Sequence, residues 1–154
     1  STMNYRKFGK FDFKKFHPSG NLGKKLRTVE DLMFKGNKIP FIDKDSKIEN
    51  VIKLINTKKL GVAIIRNKKR ETVGIFTDGD IKRTIQKNNN LKKQKISTFM
   101  TKNPISINKD ILAANALGLM NEKKITTLCV HKDSSKKKTL GVLHIHTLLN
   151  ANLS

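Results

Sequence analysis

The chain has 154 residues, enough for one domain or for two small domains packed together. Its hydrophobic content of 36% supports a modest core and argues against wholesale disorder. The longest apolar run covers only residues 62–65, whereas a membrane span needs ~20 residues, so we expect no membrane partner. A single cysteine, Cys129, excludes an internal disulfide and favours a reducing, cytoplasmic location.

The formal charge of +21 makes nucleic acid the first partner to consider. The basic residues are 28 Lys and only 5 Arg, however, and proteins that read nucleic acids favour Arg. Lys, Asn and Ile are the residues of A/T-rich codons, and the lysines are spread along the whole chain. These features favour a solvated surface and no specific nucleic-acid partner, with a basic nucleic-acid-binding module as an alternative.

After a leader, the apolar residues in the first half of the chain alternate between the spacing that indicates a strand and the spacing that indicates a helix. We predict a short strand over residues 39–42, and then a helix opened by Asp45 with Ile48, Val51, Ile52 and Ile55 on one face. A strand over 60–65, a polar turn over 67–71, a strand over 72–76 and a helix over 78–86 follow.

The second half repeats this order. Strands are predicted over residues 105–107, 125–130 and 139–143, with a polar turn over 132–138. Asp110 opens a helix, and a last helix covers 146–152. The first of these helices carries apolar residues at helical spacing: Leu112, Ala113, Ala116, Leu117 and Met120.

The two halves align residue by residue. An offset of 67 places residues 72–76 on 139–143 and residues 31–33 on 98–100, and an offset of 65 relates the segments between them. We therefore predict an α+β fold with a β-α-β-β-α unit twice, packed sheet to sheet about a pseudo-twofold axis. The predicted boundaries are a leader over 1–26, a first repeat over 27–90 and a second repeat over 91–154.

The run GIFTDGD at residues 74–80, at the end of a strand in such a repeat, resembles the CBS-domain pair, or Bateman module. Residues 74–83 (GIFTDGDIKR), 141–146 (GVLHIH) and the leader 16–26 (FHPSGNLGKKL) are similar to D-arabinose 5-phosphate isomerases of the KpsF/GutQ type. The resemblance covers the chain from about residue 12 to its end.

The resemblance implies a parent enzyme that interconverts D-arabinose 5-phosphate and D-ribulose 5-phosphate, for Kdo and lipopolysaccharide biosynthesis. The sugar-isomerase (SIS) domain of that family lies before the leader and is missing from this chain, so we expect no catalysis by the fragment. CBS modules usually pair, which implies a homodimer of the fragment and a tetrameric parent. In the parent, His17 is implied as an active-site histidine; in the fragment it is expected to be an exposed turn residue.

The same resemblance implies a ligand site in the cleft between the repeats, for an adenine nucleotide or a CMP-sugar. Thr77 then faces a phosphate, Asp80 accepts from the ribose hydroxyls, and Gly61, Val62 and Ala63 form the wall against the base. The alternatives are a capping box for Thr77 and Asp80 and an ordinary buried strand for the other three. The second repeat has His144 and Thr147 at the positions of Thr77 and Asp80, which implies one nucleotide site per chain at most.

Four residues of the second repeat are typical metal ligands: Cys129, His131, His144 and His146. Their spacing matches neither a zinc ribbon nor a zinc finger, so we predict no metal site and interpret Cys129 as a small core residue. The favoured function is a regulatory and oligomerisation module that senses a nucleotide or nucleotide-sugar. The alternative is a purely structural oligomerisation module without a ligand.

Overall fold

A computed structural model of the chain describes residues 26–87 and 90–153. Its helices are α1 (Val29–Leu32), α2 (Ile48–Lys58), α3 (Asp78–Lys87), α4 (Ala113–Lys123) and α5 (Ile145–Asn150). Its strands are β1 (Phe34–Lys35), β2 (Phe41–Asp43), β3 (Val62–Arg66), β4 (Thr72–Thr77), β5 (Thr101–Lys102), β6 (Ser106–Asn108), β7 (Thr127–His131) and β8 (Gly141–His144). Single 3-10 turns cover Gly36–Lys38 and Ile96–Thr98.

The strands form two four-stranded sheets of equivalent topology, β2-β3-β4-β5 and β1-β8-β7-β6. In each sheet an antiparallel pair, β3/β4 or β7/β8, is flanked by one parallel strand, β2 or β6. The remaining edge is a two-residue strand taken from the segment before the other repeat: β5 pairs with β4, and β1 pairs with β8. Each sheet is therefore completed by a segment that connects to the opposite repeat.

Each repeat has its own core between helices and sheet, and a third core lies between the two sheets. Ala63 and Ile65 pack in the helix–sheet core of the first repeat. Val62 and Ile64, the residues that alternate with them, contact Cys129 and Val142 across the seam between the sheets. Strand β3 is buried on both faces for this reason. The predicted α+β fold of two repeats packed sheet to sheet is confirmed.

The pseudo-twofold axis passes between two threonines. The side-chain oxygens of Thr72 and Thr139 lie 2.6 Å apart, and the two residues are equivalent under the 67-residue offset. A residue that contacts its own equivalent lies on the symmetry axis. The backbone N–H of Thr72 also donates to the carbonyl of Lys137 at 2.8 Å, so the two hairpin turns meet at this end of the molecule.

The prediction that Asp45 and Asp110 open helices was wrong. Helix α2 begins at Ile48 and helix α4 at Ala113, and no side chain caps either helix. Their first N–H groups donate instead to backbone carbonyls: Ile48 to Gln94 and Ala113 to Arg27, both at 2.9 Å. Because the connecting segments supply these acceptors, the helices need no capping side chain.

Candidate functional site

The end of β4 and the start of α3 place Thr77 and Asp80 in direct contact. The backbone N–H of Thr77 donates to Oδ2 of Asp80 at 2.9 Å, and the N–H of Asp80 donates to Oγ1 of Thr77 at 3.2 Å. This reciprocal pair is a capping box, which satisfies N–H groups that the helix leaves without acceptors. The capping interpretation of these two residues is confirmed.

The second carboxylate oxygen of Asp80 faces a different partner. Nη2 of Arg83 donates to Oδ1 at 2.6 Å, and the side chain of Asp80 is 17% exposed while that of Arg83 is 67% exposed. A carboxylate oxygen can accept two hydrogen bonds, so Oδ1 keeps acceptor capacity toward solvent. Asp80 is thus held by the backbone on one side and can accept donors on the other.

Strand β3 borders this position, because Val62 pairs with Thr77 across the sheet. Gly61, just before the strand, has a φ of +69°, and its carbonyl accepts from the N–H of Asp78 at 3.0 Å. A Cβ at Gly61 would lie 3.0 Å from Oδ2 of Asp78. The side chains of Val62 and Ala63 are fully buried, whereas Gly61 is partly exposed.

The equivalent position in the second repeat has different chemistry. His144 caps α5, since its Nδ1 accepts from the N–H of His146 at 3.1 Å, and the two rings stack at 5.0 Å. Burial lowers the pKa of His144, the imidazole of His146 lowers it further, and the carboxylate of Asp78 opposes the shift. Asp78, the first residue of α3, is thus among the charged groups that act on the imidazole of His144. Thr147 provides no carboxylate there.

The cysteine and the remaining histidine lie in the second sheet. Burial raises the pKa of the Cys129 thiol to about 12, so it stays protonated. His131 is 4% exposed, its Nδ1 lies 2.6 Å from the hydroxyl of Ser106, and burial followed by the charge of Lys136 lowers its pKa. Within residues 26–87 and 90–153, no three His, Cys, Asp or Glu side chains are arranged to hold a metal ion.

An open groove of about 480 Å³ lies between helices α2 and α3 of the first repeat. The residues that line it are Ile52, Asn56, Asp78, Ile81, Lys82, Ile85 and Gln86. Ile85 is 54% exposed, and no side chain of α3 is fully buried. The groove was not predicted, although the spacing of Ile81 and Ile85 on one helix face indicates an apolar stripe.

The predictions about His17, the domain boundaries and the membrane concern positions outside this site. His17 and the rest of the leader up to residue 25 lie outside the described residues. The boundaries predicted for the leader and the two repeats stay a prediction. In the described part of the chain, no helix has both the length and the apolar character that crossing a membrane requires.

The family model for the CBS domain matches the chain twice, over residues 29–87 and 96–154. Each segment holds one β-α-β-β-α repeat together with the short strand that completes the other repeat's sheet. The chain therefore belongs to the CBS-domain family, as a CBS-domain pair. The resemblance inferred from GIFTDGD is confirmed.

Curated relatives extend this assignment. Arabinose 5-phosphate isomerase KdsD of Escherichia coli (strain K12) is 36% identical over 154 residues, which is 99% of this chain and 46% of KdsD. The KdsD of Yersinia pestis matches to the same extent. Uncharacterized protein RP505 of Rickettsia prowazekii is 37% identical over 149 residues, which is 97% of this chain and 45% of that protein. The chain spans about half the length of these relatives.

Solved structures share the fold. A CBS-domain pair of protein MJ0100 in complex with 5'-methylthioadenosine and S-adenosyl-L-methionine has a TM-score of 0.73 at 20% identity, covering 82% of this chain and 96% of that one. CBSX2 in complex with AMP has a TM-score of 0.68 at 21% identity, with coverage of 82% and 96%. At these identities the likeness shows the fold alone.

Proposed function

We propose that this chain is the regulatory module of an arabinose 5-phosphate isomerase and that it senses an adenine nucleotide beside the start of α3. Support for the parent activity comes from the KdsD relatives, which match the chain along its whole length. Support for the ligand class comes from two structural neighbours with bound AMP or adenosine derivatives. A nucleotide-sugar such as a CMP-sugar is the second ligand class that the site suits.

The observation that carries the proposal is the position of Asp80. Its carboxylate is anchored by the N–H of Thr77 at 2.9 Å and retains capacity for the paired hydroxyls of a ribose. The Thr77 hydroxyl oxygen accepts from the N–H of Asp80 and can still donate its proton to a phosphate oxygen. The start of α3 favours an anion. Gly61 lets the chain approach a base closely, with Val62 and Ala63 supporting it from the strand.

Regulation requires that binding in the first repeat reaches the leader. Helix α1, which directly follows the leader, is attached to the second repeat, where the N–H of Val29 donates to the carbonyl of Ile111 at 2.8 Å. Only the seam between the sheets and the connecting segments join this attachment to Asp80. A ligand that prefers one packing of the two repeats would therefore shift the position of an attached catalytic domain.

Calorimetric titration of the chain with AMP, ATP and a CMP-sugar tests the proposal. We expect AMP to bind, and we expect Asp80→Asn to weaken it by at least about tenfold, because the amide keeps one acceptor for the cap but loses the charge. Asp110→Asn removes the same charge from an exposed turn of the second repeat and should leave binding unchanged. Absence of binding across the panel, or full binding by Asp80→Asn, would contradict the proposal.

A second proposed role is assembly, which the groove between α2 and α3 favours. Three of its seven lining residues are isoleucines, and Asp78 and Lys82 are its charged members. In a twofold interface the same patch meets itself, so a second copy of this chain can place Lys82 opposite Asp78 while the isoleucines pack together. The resulting species is a dimer of the fragment, and in the parent it is one contact of a tetramer.

Light scattering behind a sizing column tests this role. We expect the chain to elute with twice its own mass, and Ile85→Glu to produce a monomer, because a carboxylate on each copy would be buried at the contact. Ile111→Glu is the matched control, since Ile111 is an exposed isoleucine outside the groove. A monomeric wild type, or a dimer that survives Ile85→Glu, would exclude this surface.

A further inference from the structure

We propose that Arg83 determines which ligands the Asp80 site accepts: it binds the Asp80 carboxylate in the free module and transfers to the anionic group of a bound nucleotide. This inference rests on the proposed function and goes beyond it, because it assigns selectivity for ligand charge to a residue outside the predicted set of ligand-contacting residues.

The geometry places the guanidinium between Asp80 and solvent. Nη2 of Arg83 lies 2.6 Å from Oδ1 of Asp80, the oxygen that the backbone of Thr77 does not use. The same guanidinium lies over Gly79, where a Cβ would come within 3.4 Å of Nη1. Arg83 thus folds back over the first turn of α3, at ordinary contact distance from position 79. A ribose that approaches Oδ1 therefore meets the guanidinium first.

The contact is suited to exchange. Arg83 is the exposed member of the pair, at 67% against 17% for Asp80, so its guanidinium returns to water without leaving a buried site. The capping bond from the Thr77 N–H to Oδ2 does not involve Arg83, so Asp80 stays in position when the guanidinium leaves. The long arginine side chain can then reorient without any change in the backbone of the helix.

Ligand charge decides whether the exchange is favourable. The ribose hydroxyls of a neutral nucleoside would replace a charge-assisted hydrogen bond with weaker ones and leave the guanidinium without an anion. A phosphate beside Thr77 offers two oxygens to which the planar guanidinium can donate at once. The site should therefore reject nucleosides and accept nucleotides. If Arg83 were only a brace between residues three apart on the helix, it would affect both ligand classes equally.

Titration with AMP and adenosine, which share base and ribose and differ in the phosphate, separates these cases. For the wild type we expect AMP to bind at least about tenfold more tightly than adenosine. For Arg83→Gln we expect AMP to weaken by about tenfold and adenosine to stay unchanged or to bind up to about fivefold more tightly. Lys87→Gln removes the same charge from the end of the same helix and should change neither.

The outcomes distinguish this inference from the proposed function. If Asp80→Asn abolishes AMP binding while Arg83→Gln weakens AMP and adenosine by the same factor, or changes neither, only the role of Arg83 is wrong. If AMP binds equally well to Asp80→Asn, the site itself is wrong. If neither AMP nor adenosine binds the wild type, the role of Arg83 is overturned, and the proposed function is overturned with it if ATP and the CMP-sugar also fail to bind.

Discussion

Gly74 and Gly141 are equivalent glycines at which the two connecting segments approach the sheets. A Cβ at Gly74 would lie 2.4 Å from the sulfur of Met100, and one at Gly141 would lie 2.4 Å from the sulfur of Met33. Backbone carbonyls of Thr101 and Phe34 come within 3.0 and 2.9 Å of the same positions. Neither glycine has a positive φ, so close packing explains the residue type at both sites.

Gly74→Ala and Gly141→Ala should each lower the free energy of unfolding by about 1–3 kcal/mol, the usual effect of adding a methyl group to a packed site. Denaturant unfolding measures this. Gly118→Ala is the control, because Gly118 is exposed in the middle of α4 and nothing lies within 4 Å of its Cβ position. It should raise stability by roughly 0.5–1 kcal/mol, since alanine is the better helix former.

The coupling between Gly141 and Met33 provides a further check on this prediction. In Gly141→Ala combined with Met33→Ala, the shortened side chain leaves room for the new methyl group, so the two losses should sum to more than the loss in the double variant. If Gly141→Ala is as stable as the wild type, or if the two losses are simply additive, the close approach of Met33 does not explain the glycine.

Only some of the residue contacts in the candidate site could be predicted from the sequence. The spacing of Thr77 and Asp80 at a strand–helix junction is a local pattern, and it correctly predicted the capping box. The contact of Arg83 with Asp80 follows from their spacing of three residues on a helix, but its direction over Gly79 depends on a side-chain rotamer. The proximity of Asp78 to His144 depends on how the two repeats pack, which no local pattern encodes.

The elements with strong apolar periods were predictable, and those stabilised by distant segments were not. The amphipathic helices α2 and α4 and the central strands β3, β4, β7 and β8 lie where their hydrophobic patterns indicated. Strands β1 and β5 have two residues each. They exist because they pair with β8 and β4: Phe34 pairs with Val142, 108 positions away, and Thr101 pairs with Ile75, 26 positions away.

The starts of the helices show the same dependence on distant segments. The carbonyls of Gln94 and Arg27 that accept from the first N–H groups of α2 and α4 belong to the connecting segments, so a search for a nearby capping residue selected Asp45 and Asp110 instead. Proline has a local effect that shifts the start of β2: Pro40 has no N–H to donate, although its carbonyl accepts from the N–H of Ile64 at 2.8 Å. The strand accordingly begins at Phe41.

The molecule as a whole combines a nearly symmetric fold with an asymmetric distribution of titratable groups. At the start of the last helix of each repeat, the first repeat has the carboxylates of Asp78 and Asp80, and the second has the imidazoles of His144 and His146. Among the described residues, histidine occurs only in the second repeat. The two halves should therefore respond differently to acid.

The pKa values of His131 and His144 are lowered, with burial as the largest cause. These shifts decide whether acid stabilises or destabilises the second repeat. The unfolded chain, with ordinary histidine pKa values near 6.5, binds protons more readily than the folded module. The stabilisation due to neutral imidazoles is fully present above that value. It is lost progressively as the pH falls below about 6.5 toward the lower pKa values of the folded state.

We therefore expect the melting temperature to fall as the pH is lowered from about 7.5 to about 5.5, a window in which ordinary carboxylates remain ionised. Calorimetric melting at high salt measures the effect, because salt screens the general repulsion of a chain with net charge +21.

The variant His144→Asn is the control for this prediction. It keeps an acceptor that can cap α5 but does not titrate, so its melting temperature should match that of the wild type at the higher pH and fall less at the lower one. Protonation of His144 removes the acceptor for the N–H of His146, which adds a lost cap to the burial of a charge. A melting temperature that stays constant or rises on acidification would show that the buried imidazoles do not limit the stability of the second repeat.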